Sequence, residues 1–382
     1  MNSVAEDRHY MQMALELAAK ARGRTSPNPM VGAVLVKDGE VVGQGFHAKA
    51  GSAHAEVVAL AAAGEKARGA TIYVTLEPCC HHGRTGPCTE ALLKAGVKRV
   101  VAAMTDPNPL VSGKGLTILR EAGVEVTSGV LQGQALQLNE VFIKYITGKR
   151  PFVVLKAATS LDGKIATATG ESKWITGEAA REYGHRLRDS YDAILVGVNT
   201  ILADDPSLTA RLPEGRGKDP IRIVVDSNAR TPTGAKVLTQ LSAAYTVIAT
   251  TEGAPAERRA GLMAAGAEVM VVPGEGTRVD LVKLMEMLAE KQITGVLIEG
   301  GGQINGAALN AGIVDKVAWF LAPKIIGGDA APGPVRGEGI ASLGDAIKLH
   351  DMSIERLGED LLVTGYTAEG GGRIFLPESL KR

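Results

Sequence analysis

The sequence contains few cysteines, and all of them lie in one short segment. Only Cys79, Cys80 and Cys88 occur in 382 residues. A disulfide framework would distribute its cysteines along the chain, so this pattern argues against a disulfide-stabilised fold. A tight cluster of thiols instead indicates a metal site or a redox pair in the reducing cytoplasm.

The sequence also lacks an excess of charge of either sign and any long apolar run. Lysine and arginine number 42 and the acidic residues 42, which gives a formal net charge of zero. This balance argues against a general nucleic-acid binder, because such proteins usually carry a basic excess. No run approaches the ~20 apolar residues that span a bilayer, and the polar N-terminus does not resemble a secretory signal. We therefore expect a cytoplasmic protein that binds neither nucleic acid nor membrane.

The length predicts two domains, at roughly 100–200 residues per domain. Residues 146–151 form the predicted junction, because a long helix should end there, with Gly148 and Pro151 as stop signals. We place the domains at residues 1–147 and 151–368.

Both halves show alternating helix and strand patterns. The first predicts helices at about 6–22, 55–63 and 89–94, strands at 31–36, 41–45, 71–76 and 99–104, and a helix–strand pair over 115–127. The second predicts strands at 152–157, 193–197, 221–225, 245–249, 268–272, 295–298 and 316–321, and helices at 178–188, 256–264, 280–290 and 303–310. These orders predict two α/β domains, the second with a largely parallel or mixed sheet.

The first half contains a histidine, a glutamate and two Pro-Cys steps in a metal-site order. They are His54-Ala55-Glu56, Pro78-Cys79 and Pro87-Cys88. Zinc deaminases of nucleobases use one histidine and two cysteines as ligands, with a non-ligand glutamate two residues after the histidine. Three protein ligands leave one position for water, whose pKa zinc lowers towards neutrality. We predict His54, Cys79 and Cys88 as ligands and Glu56 as the proton shuttle.

Helix geometry restricts where these residues can lie. Residues two apart do not share a helix face, so His54 and Glu56 should lie at or just before a helix start. Cys88 should open the next helix, after Pro87. A helix N-terminus there would stabilise its thiolate and favour metal binding.

The cysteine spacing departs from the common deaminase pattern, which places two residues between the cysteines. Here eight residues separate Cys79 from Cys88. A structural zinc site completed by His81 and His82 is an alternative, but its spacing fits no finger or ribbon template. A third interpretation, buried cysteines with unrelated histidines, would leave the order of the motifs unexplained.

A glycine-rich turn is the main feature of the second half taken alone. Residues Glu299-Gly300-Gly301-Gly302-Gln303 follow an apolar strand and open a helix, where backbone amides can hold a phosphate. The glycine spacing is not the dinucleotide fingerprint. A tight strand-to-helix turn without a ligand explains the pattern equally well.

Taken together, the motifs resemble the bifunctional deaminase–reductase family of riboflavin biosynthesis. In the first half the resemblance lies in residues 27–29 (Pro-Asn-Pro), 54–56, 75–79, 81–88 and 106–109 (Asp-Pro-Asn-Pro), including the long cysteine spacing. In the second half it lies in residues 160–163, 170–176 and 202–211. Cys80 and Gly86 depart from the family pattern, which often has serine and proline there. We expect Cys80 to pack as a small apolar residue rather than to compete for zinc.

The resemblance implies a fold and a pair of reactions. The first domain would be a cytidine-deaminase-like three-layer α/β/α domain, and the second a dihydrofolate-reductase-like α/β domain. Zinc-bound hydroxide would deaminate 2,5-diamino-6-(5-phosphoribosylamino)pyrimidin-4(3H)-one. NADPH would then reduce the ribosyl group, giving 5-amino-6-(5-phosphoribitylamino)uracil. We also expect a homo-oligomer that acts on this small molecule.

The resemblance also implies binding residues in the second domain. The positions that match cofactor-binding positions of the family are Ala158, Trp174, Thr200, Asp204 and Ser227. With the resemblance, the glycine turn is assigned to the NADPH phosphates through Gly301, Gly302 and Gln303. The positions that match substrate-binding positions are Ser172, Arg188, Leu208, Arg211 and Glu299. Two arginines suit a substrate that carries a phosphate.

Three other functions are weighed against this one. A nucleic-acid-editing zinc deaminase with an accessory domain fits the zinc motif, but the zero net charge argues against it. A non-enzymatic zinc-stabilised binding protein would not need the His-x-Glu pair. A deaminase whose second domain has lost its reductase activity conflicts with the intact Ser172, Trp174, Asp204 and Arg211 matches.

Overall fold

The chain divides into two compact units, with the boundary between Lys149 and Arg150. The computed structural model describes residues 4–81, 86–213, 215, 217–274 and 276–367. Among the described helices, none is long and apolar enough to cross a membrane.

The first unit is a five-stranded sheet with helices on both faces. Its helices are α1 (Val4–Ala19), α2 (Ala55–Ala63), α3 (Cys88–Ala95), α4 (Lys114–Glu121), α5 (Gln132–Leu138) and α6 (Glu140–Gly148). Its strands are β1 (Gly32–Lys37), β2 (Glu40–Phe46), β3 (Thr71–Val74), β4 (Arg99–Ala102) and β5 (Glu125–Ser128), in the order β2-β1-β3-β4-β5. Strands β3, β4 and β5 are parallel, and β1 is antiparallel to both of its neighbours.

Alternation along the strands creates two cores in this unit. Ile72 faces a core that contains residues of α2, α3 and α4, whereas the next residue, Tyr73, faces a core with α1, α5 and α6. The expected three-layer α/β/α arrangement is confirmed.

The prediction of one long helix before the junction is wrong. The segment consists of two helices, because Asn139 leaves helical geometry between α5 and α6, with φ −105° and ψ 20°. Its side chain accepts a hydrogen bond from the Met30 amide at 2.8 Å and donates one to the Met30 carbonyl at 3.0 Å. The second of these helices ends at Gly148, at the predicted stop signal.

The second unit is a nine-stranded mixed sheet. Its strands are β6 (Phe152–Ser160), β7 (Ala193–Gly197), β8 (Ile221–Val225), β9 (Thr246–Thr250), β10 (Glu268–Val271), β11 (Gly295–Ile298), β12 (Lys316–Ala322), β13 (His350–Leu357) and β14 (Asp360–Tyr366). Its helices are α7 (Glu178–Ser190), α8 (Val198–Asp204), α9 (Lys236–Thr239), α10 (Ala256–Ala264), α11 (Leu281–Glu290) and α12 (Gly302–Asn310). The order is β10-β9-β8-β7-β11-β6-β12-β14-β13. The first seven strands in this order are parallel, and β14 pairs antiparallel with both of its neighbours, β12 and β13.

The strand order creates a crevice between β7 and β11. The chain leaves β7 towards β8 on one side, and leaves β11 towards β12 on the other. Helix α8 packs on one face of the sheet through Ile201, and α12 packs on the opposite face through Ile304. In parallel α/β sheets, ligands bind outside the carboxyl ends of strands at such a reversal. This edge of the sheet therefore carries the candidate cofactor site.

A buried ion pair attaches the first helix to the sheet of the first unit. Asp7 on α1 accepts hydrogen bonds from Arg99 Nη1 and Nη2, both at 2.7 Å, and from the Tyr73 hydroxyl at 2.9 Å. Burial opposes ionisation of Asp7, but the hydrogen bonds from Arg99 and Tyr73 outweigh it and lower the pKa of the carboxyl.

We predict that Asp7→Ala destabilises the first unit by about 2 kcal/mol, because it removes the hydrogen bonds from Arg99 and Tyr73 and leaves Arg99 paired only with the exposed Glu125 at 3.0 Å. The control is Glu16→Ala on the same helix, where an exposed hydrogen bond from Gln12 is lost; its expected cost is below about 0.5 kcal/mol. Hydrogen exchange at the amides of β3 and β4 measures both effects. Equal exchange rates in the two variants would contradict the role given to Asp7.

Candidate active sites

Three elements of the first unit bring His54, Cys79 and Cys88 together. His54 directly precedes α2 with extended backbone (φ −69°, ψ 158°), and Cys88 is the first residue of α3. Cys79 lies in the loop that follows β3. The structure therefore confirms the prediction that His54 and Cys88 lie at helix starts.

The donor atoms of this trio have the geometry that a metal ion needs. His54 Nδ1 lies 3.2 Å from Cys88 Sγ and 3.5 Å from Cys79 Sγ. All three donor atoms lie within 4.8 Å of one another. Edges of this length fit a tetrahedral zinc ion with one position open, since Zn–S and Zn–N bonds measure about 2.0–2.3 Å.

The surroundings of Cys79 favour its thiolate form. A hydrogen bond from the Cys88 thiol, supported by His54 and by the Cys88 amide, lowers the pKa of Cys79 to about 4. The Cys88 amide lies 3.3 Å from Cys79 Sγ at the start of α3. The helix N-terminus thus stabilises a negative charge, as metal binding by thiolates requires.

Glu56 lies beside the trio and is not part of it. It is the second residue of α2, its side chain is buried, and burial raises its pKa to about 7. A carboxyl group next to the metal position, but not needed as a ligand, can carry a proton between water and substrate.

A buried carboxylate fixes the loop that carries Cys79. Glu77 accepts hydrogen bonds from backbone amides at 2.8–3.2 Å, from Asp106, Gly113, Gly115 and Leu116. A Cβ on Gly115 would lie 2.1 Å from the Pro78 carbonyl oxygen, so only glycine allows this approach. Glu77 lies within the Leu-Glu-Pro-Cys motif, but its clamping role could not be inferred from spacing.

His47 is a further site residue that sequence reasoning did not single out, and it contacts Asn28 of the Pro-Asn-Pro motif. The Asn28 amide donates to His47 Nε2 at 3.1 Å, so His47 Nδ1–H donates to the Ala53 carbonyl at 3.1 Å. The His47 ring packs edge-on against His54 at 5.6 Å, and burial lowers its pKa. His47 therefore packs against the histidine of the trio in surroundings that disfavour its charged form.

Neither Cys80 nor His81 joins the trio within the described part of the chain. Cys80 is half-buried, and burial raises the pKa of its thiol. His82, which the structural-zinc alternative invokes, lies with Gly83, Arg84 and Thr85 outside the described residues.

The second unit contains a pocket of about 250 Å³ built around Glu299. Its lining residues are Lys156, Trp174, Arg181, Gly184, His185, Arg188, Arg211 and Glu299. Glu299 accepts from Arg188 Nε at 2.7 Å and Nη2 at 3.0 Å, and from Lys156 Nζ at 3.3 Å. Burial alone would favour the protonated acid, but Arg188 and Lys156 lower the pKa of Glu299 to about 2. The pocket therefore holds a permanent carboxylate.

Arg211 adds a second guanidinium to this pocket. Its Nη1 donates to the Thr209 hydroxyl at 2.8 Å, and its backbone amide donates to His185 Nδ1 at 3.3 Å. Burial, together with the charges of Arg188 and Arg211, lowers the pKa of His185 to about 4, so its ring is neutral near pH 7.

The structure brings three of the five predicted substrate residues together, namely Arg188, Arg211 and Glu299. Ser172 and Leu208 are not among the lining residues; Leu208 is buried with φ 55°, directly before Thr209. Lys156, Arg181 and His185 were missed, because no local spacing relates them to Glu299.

The predicted cofactor residues lie mainly along the carboxyl edge of the second sheet. Thr200 is in α8, Ser227 follows β8, Gly301 precedes α12 and Gln303 is in its first turn. Asp204 ends α8, and Ala158 lies in β6. Trp174 is 61% exposed and lines the pocket, with the Arg181 guanidinium 4.9 Å above its ring.

The glycines of the turn differ in their surroundings. A Cβ on Gly300 would lie 1.8 Å from Ile304 Cγ2, and one on Gly302 would lie 2.6 Å from the Gly333 carbonyl oxygen, so close packing explains these two glycines. Gly301 is open, with Thr200 Oγ1 nearest at 3.9 Å, and no side chain caps α12. The open start of α12 fits a dinucleotide phosphate.

Comparison with known proteins matches both halves of the chain. The family model described as cytidine and deoxycytidylate deaminase zinc-binding region matches residues 4–104, and the RibD C-terminal domain model matches residues 151–363. The riboflavin biosynthesis protein RibD of Actinobacillus pleuropneumoniae is 47% identical, with 94% of each chain covered. This chain belongs to the RibD family.

Further relatives agree over the whole length. RibD of Aquifex aeolicus is also 47% identical, over 94% of this chain and 97% of that protein. A structure of Acinetobacter baumannii RibD has a TM-score of 0.84 at 39% identity, covering 96% of this chain and 100% of that one. A Thermotoga maritima structure described as a diaminohydroxyphosphoribosylaminopyrimidine deaminase/5-amino-6-(5-phosphoribosylamino)uracil reductase has a TM-score of 0.83 at 37% identity, covering 96% and 99%.

The family assignment confirms the functional class expected from the motifs. RibD proteins are bifunctional deaminase–reductases of riboflavin biosynthesis, with a zinc-binding deaminase region and an NADPH-dependent reductase domain. The alternative of a nucleic-acid-editing deaminase has no support from these matches.

We predict that Cys79→Ser and Cys88→Ser each lose the zinc, whereas Cys80→Ser retains about one ion per chain. The reason is that the thiols of Cys79 and Cys88, but not that of Cys80, converge with His54. Metal analysis of the purified variants measures this. Full zinc occupancy in Cys88→Ser would refute the ligand assignment.

Proposed function

We propose that the first unit deaminates 2,5-diamino-6-(5-phosphoribosylamino)pyrimidin-4(3H)-one and that the second unit reduces the ribosyl group of the product with NADPH. The observation that carries the proposal is the convergence of His54, Cys79 and Cys88 beside the buried Glu56. Family membership over both halves supports the pairing of this site with a reductase.

In the deaminase site, His54, Cys79 and Cys88 would hold zinc, which activates a water molecule when bound. Glu56 would accept a proton from that water and pass it to a ring nitrogen. It would then take the remaining proton from the hydroxyl group added to the ring and deliver it to the amino group, which leaves as ammonia while the carbonyl forms. Because Glu56 is 3% exposed, its proton is shielded from bulk water and remains available to the substrate.

In the reductase pocket, charge would orient the substrate. Arg188 is already paired with Glu299, whereas the guanidinium of Arg211 contacts a neutral hydroxyl. Arg211 would therefore provide the main charge for the phosphate, and Glu299 would accept hydrogen bonds from sugar hydroxyls. The lining residues that sequence reasoning missed, Lys156 and His185, shape this pocket.

The cofactor would bind along the crevice between β7 and β11. NADPH supplies the reducing equivalent there, and the open start of α12 at Gly301, Gly302 and Gln303 would receive its phosphates. Further contacts are proposed from Ala158, Trp174, Thr200, Asp204 and Ser227. Ser172 and Leu208 are also proposed to contact the substrate.

Domain limits, location and assembly complete the proposal. We place the domains at 1–147 and 151–368, consistent with the family matches at 4–104 and 151–363; residue 368 itself lies outside the described residues. The thiol ligands suit the reducing cytoplasm. The proposed homo-oligomer has a candidate surface in the edge strand β13, where Met352 and Ile354 are exposed.

We predict that Glu56→Gln retains zinc and fold but loses about 10²–10⁴-fold in deamination rate, because one group would carry several proton transfers. Supplied with the already deaminated aminouracil phosphate, the same variant should oxidise NADPH at a near-normal rate. Ammonia release and NADPH absorbance, measured in parallel, test both statements.

The complementary variants are Asp204→Ala and Arg211→Ala, which should impair reduction while ammonia release continues. If a folded, zinc-loaded Glu56→Gln variant lost both activities, the two reactions would share one site and the proposal would fail. Normal NADPH oxidation in Arg211→Ala would remove that residue from the substrate site.

A further inference from the structure

One face of helix α7 runs along the pocket of the second unit. Four of its residues line the pocket and lie on one side of the helix, because they are spaced at three, four and seven residues: Arg181, Gly184, His185 and Arg188. At about 1.5 Å per residue, Arg181 and Arg188 are separated by about 10 Å along the helix axis. The pocket therefore has two ends, each with a guanidinium group.

The end of the pocket at Arg188 suits the phosphate of the substrate. Arg188 Nη1 donates to the Thr209 carbonyl at 3.1 Å, and Arg211 Nη1 donates to the hydroxyl of the same residue at 2.8 Å. Both guanidinium groups therefore lie at this end, where Glu299 balances the charge of Arg188. Neighbouring arginines are the arrangement that binds a phosphate, so the rest of the substrate would extend from here towards Arg181.

Arg181 contributes hydrogen-bond donors at the other end. Its Nη1 donates to the Thr176 carbonyl at 2.8 Å, and its guanidinium lies 4.9 Å from the centre of the Trp174 ring. Arg181 takes part in no ion pair between described residues, and its other N–H groups have no hydrogen-bond partner among them. A guanidinium has five N–H donors and no acceptor, so this end of the pocket can bind an oxygen atom of the ligand.

Trp174 makes the same end suitable for the base of the substrate. Its side chain is exposed, and its carbonyl accepts a hydrogen bond from Lys324 Nζ at 2.9 Å, which holds this segment in place. An indole offers an apolar surface with which a flat ring packs better than a sugar phosphate does.

Gly184 keeps the middle of the pocket open between these two ends. A Cβ on Gly184 would lie 3.9 Å from Lys156 Cε, which is an ordinary contact, so packing does not require glycine here. Glycine inside a helix costs about 0.5–1 kcal/mol relative to alanine. The space is best explained by a ligand that passes this point, with its sugar beside Gly184 and its base at Arg181.

Deamination reverses the hydrogen-bonding character of one position of the base. The ring amino group presents N–H donors, whereas the carbonyl oxygen that replaces it only accepts. Arg181 only donates, so it can bind the carbonyl oxygen but would face another donor in the compound that still carries the amino group.

We propose that Arg181 is a specificity-determining residue of the reductase pocket, which binds the carbonyl oxygen created by deamination and thereby favours the deaminated substrate. The inference rests on the proposed reductase function. It adds a physical reason for the order of the two reactions, because the compound that has not been deaminated would bind poorly at Arg181.

The test measures NADPH oxidation with the diaminopyrimidine phosphate and with its deaminated product. It uses the full-length, zinc-loaded chain carrying Glu56→Gln, in which the diamino compound survives the assay. This parent should favour the deaminated compound by about 10- to 100-fold in kcat/KM, the range expected for a charged hydrogen bond. Adding Arg181→Ala should lower kcat/KM for the deaminated compound by that factor and leave the value for the diamino compound within about twofold. The ratio within one variant does not depend on its folded fraction.

Arg181→Gln is a sharper variant, because its amide can accept as well as donate. It should remove most of the preference while activity with the diamino compound stays at or above that of the parent. The control is Arg186→Ala on the same helix, which removes an exposed ion pair with Glu182 outside the pocket and should leave the ratio unchanged.

Equal losses with both compounds in Arg181→Ala would overturn the inference, because they would indicate a structural role through Trp174. An unchanged ratio in both Arg181 variants, or a parent without any preference, would overturn it as well. If the wild-type chain did not oxidise NADPH with the deaminated compound, the reductase proposal itself would fail. These outcomes separate the two levels of the argument.

Discussion

The buried carboxylate of Glu77 is the interaction on which the geometry of the zinc site depends. Glu77 directly precedes the loop that carries Cys79. Its carboxylate accepts hydrogen bonds from four backbone amides, which belong to the segment that leads into α4 and to the first turn of that helix. With that loop fixed, the starts of α2 and α3 bring His54 and Cys88 to the same point. The Cys88 amide at the start of α3 then favours the thiolate form of Cys79, which is the form that binds a metal ion.

The second unit uses a different device, the common direction of its strands. Seven parallel strands bring their carboxyl ends to one edge of the sheet, and the strand order reverses between β7 and β11, where such sheets form a ligand-binding crevice. Glu299, at the end of β11, joins this edge to the pocket through its bonds to Arg188 and Lys156. The proposed substrate and cofactor positions thus lie next to one buried carboxylate.

Local sequence pattern predicted the zinc trio and most helices and strands, since these depend on residues close together in the chain. The same pattern missed the last two strands, β13 and β14, and the short helices α8 and α9. In β13 all but the last residue are exposed, so no buried face marks the strand. It also missed Glu77 as a clamp, His47 as a neighbour of His54, and Lys156 as a partner of Glu299. Each of these depends on a contact between distant segments, which spacing alone does not reveal.

The central claim is that one chain performs deamination first and reduction second, at separate sites. The most direct measurement incubates the zinc-loaded wild-type protein with the diaminopyrimidine phosphate, with and without NADPH, and identifies the products by mass. Without NADPH we expect ammonia and the deaminated product still carrying its ribosyl group; with NADPH, the same product with a ribityl chain. A ribityl product that retained the amino group, or NADPH oxidation before any ammonia release, would contradict this account.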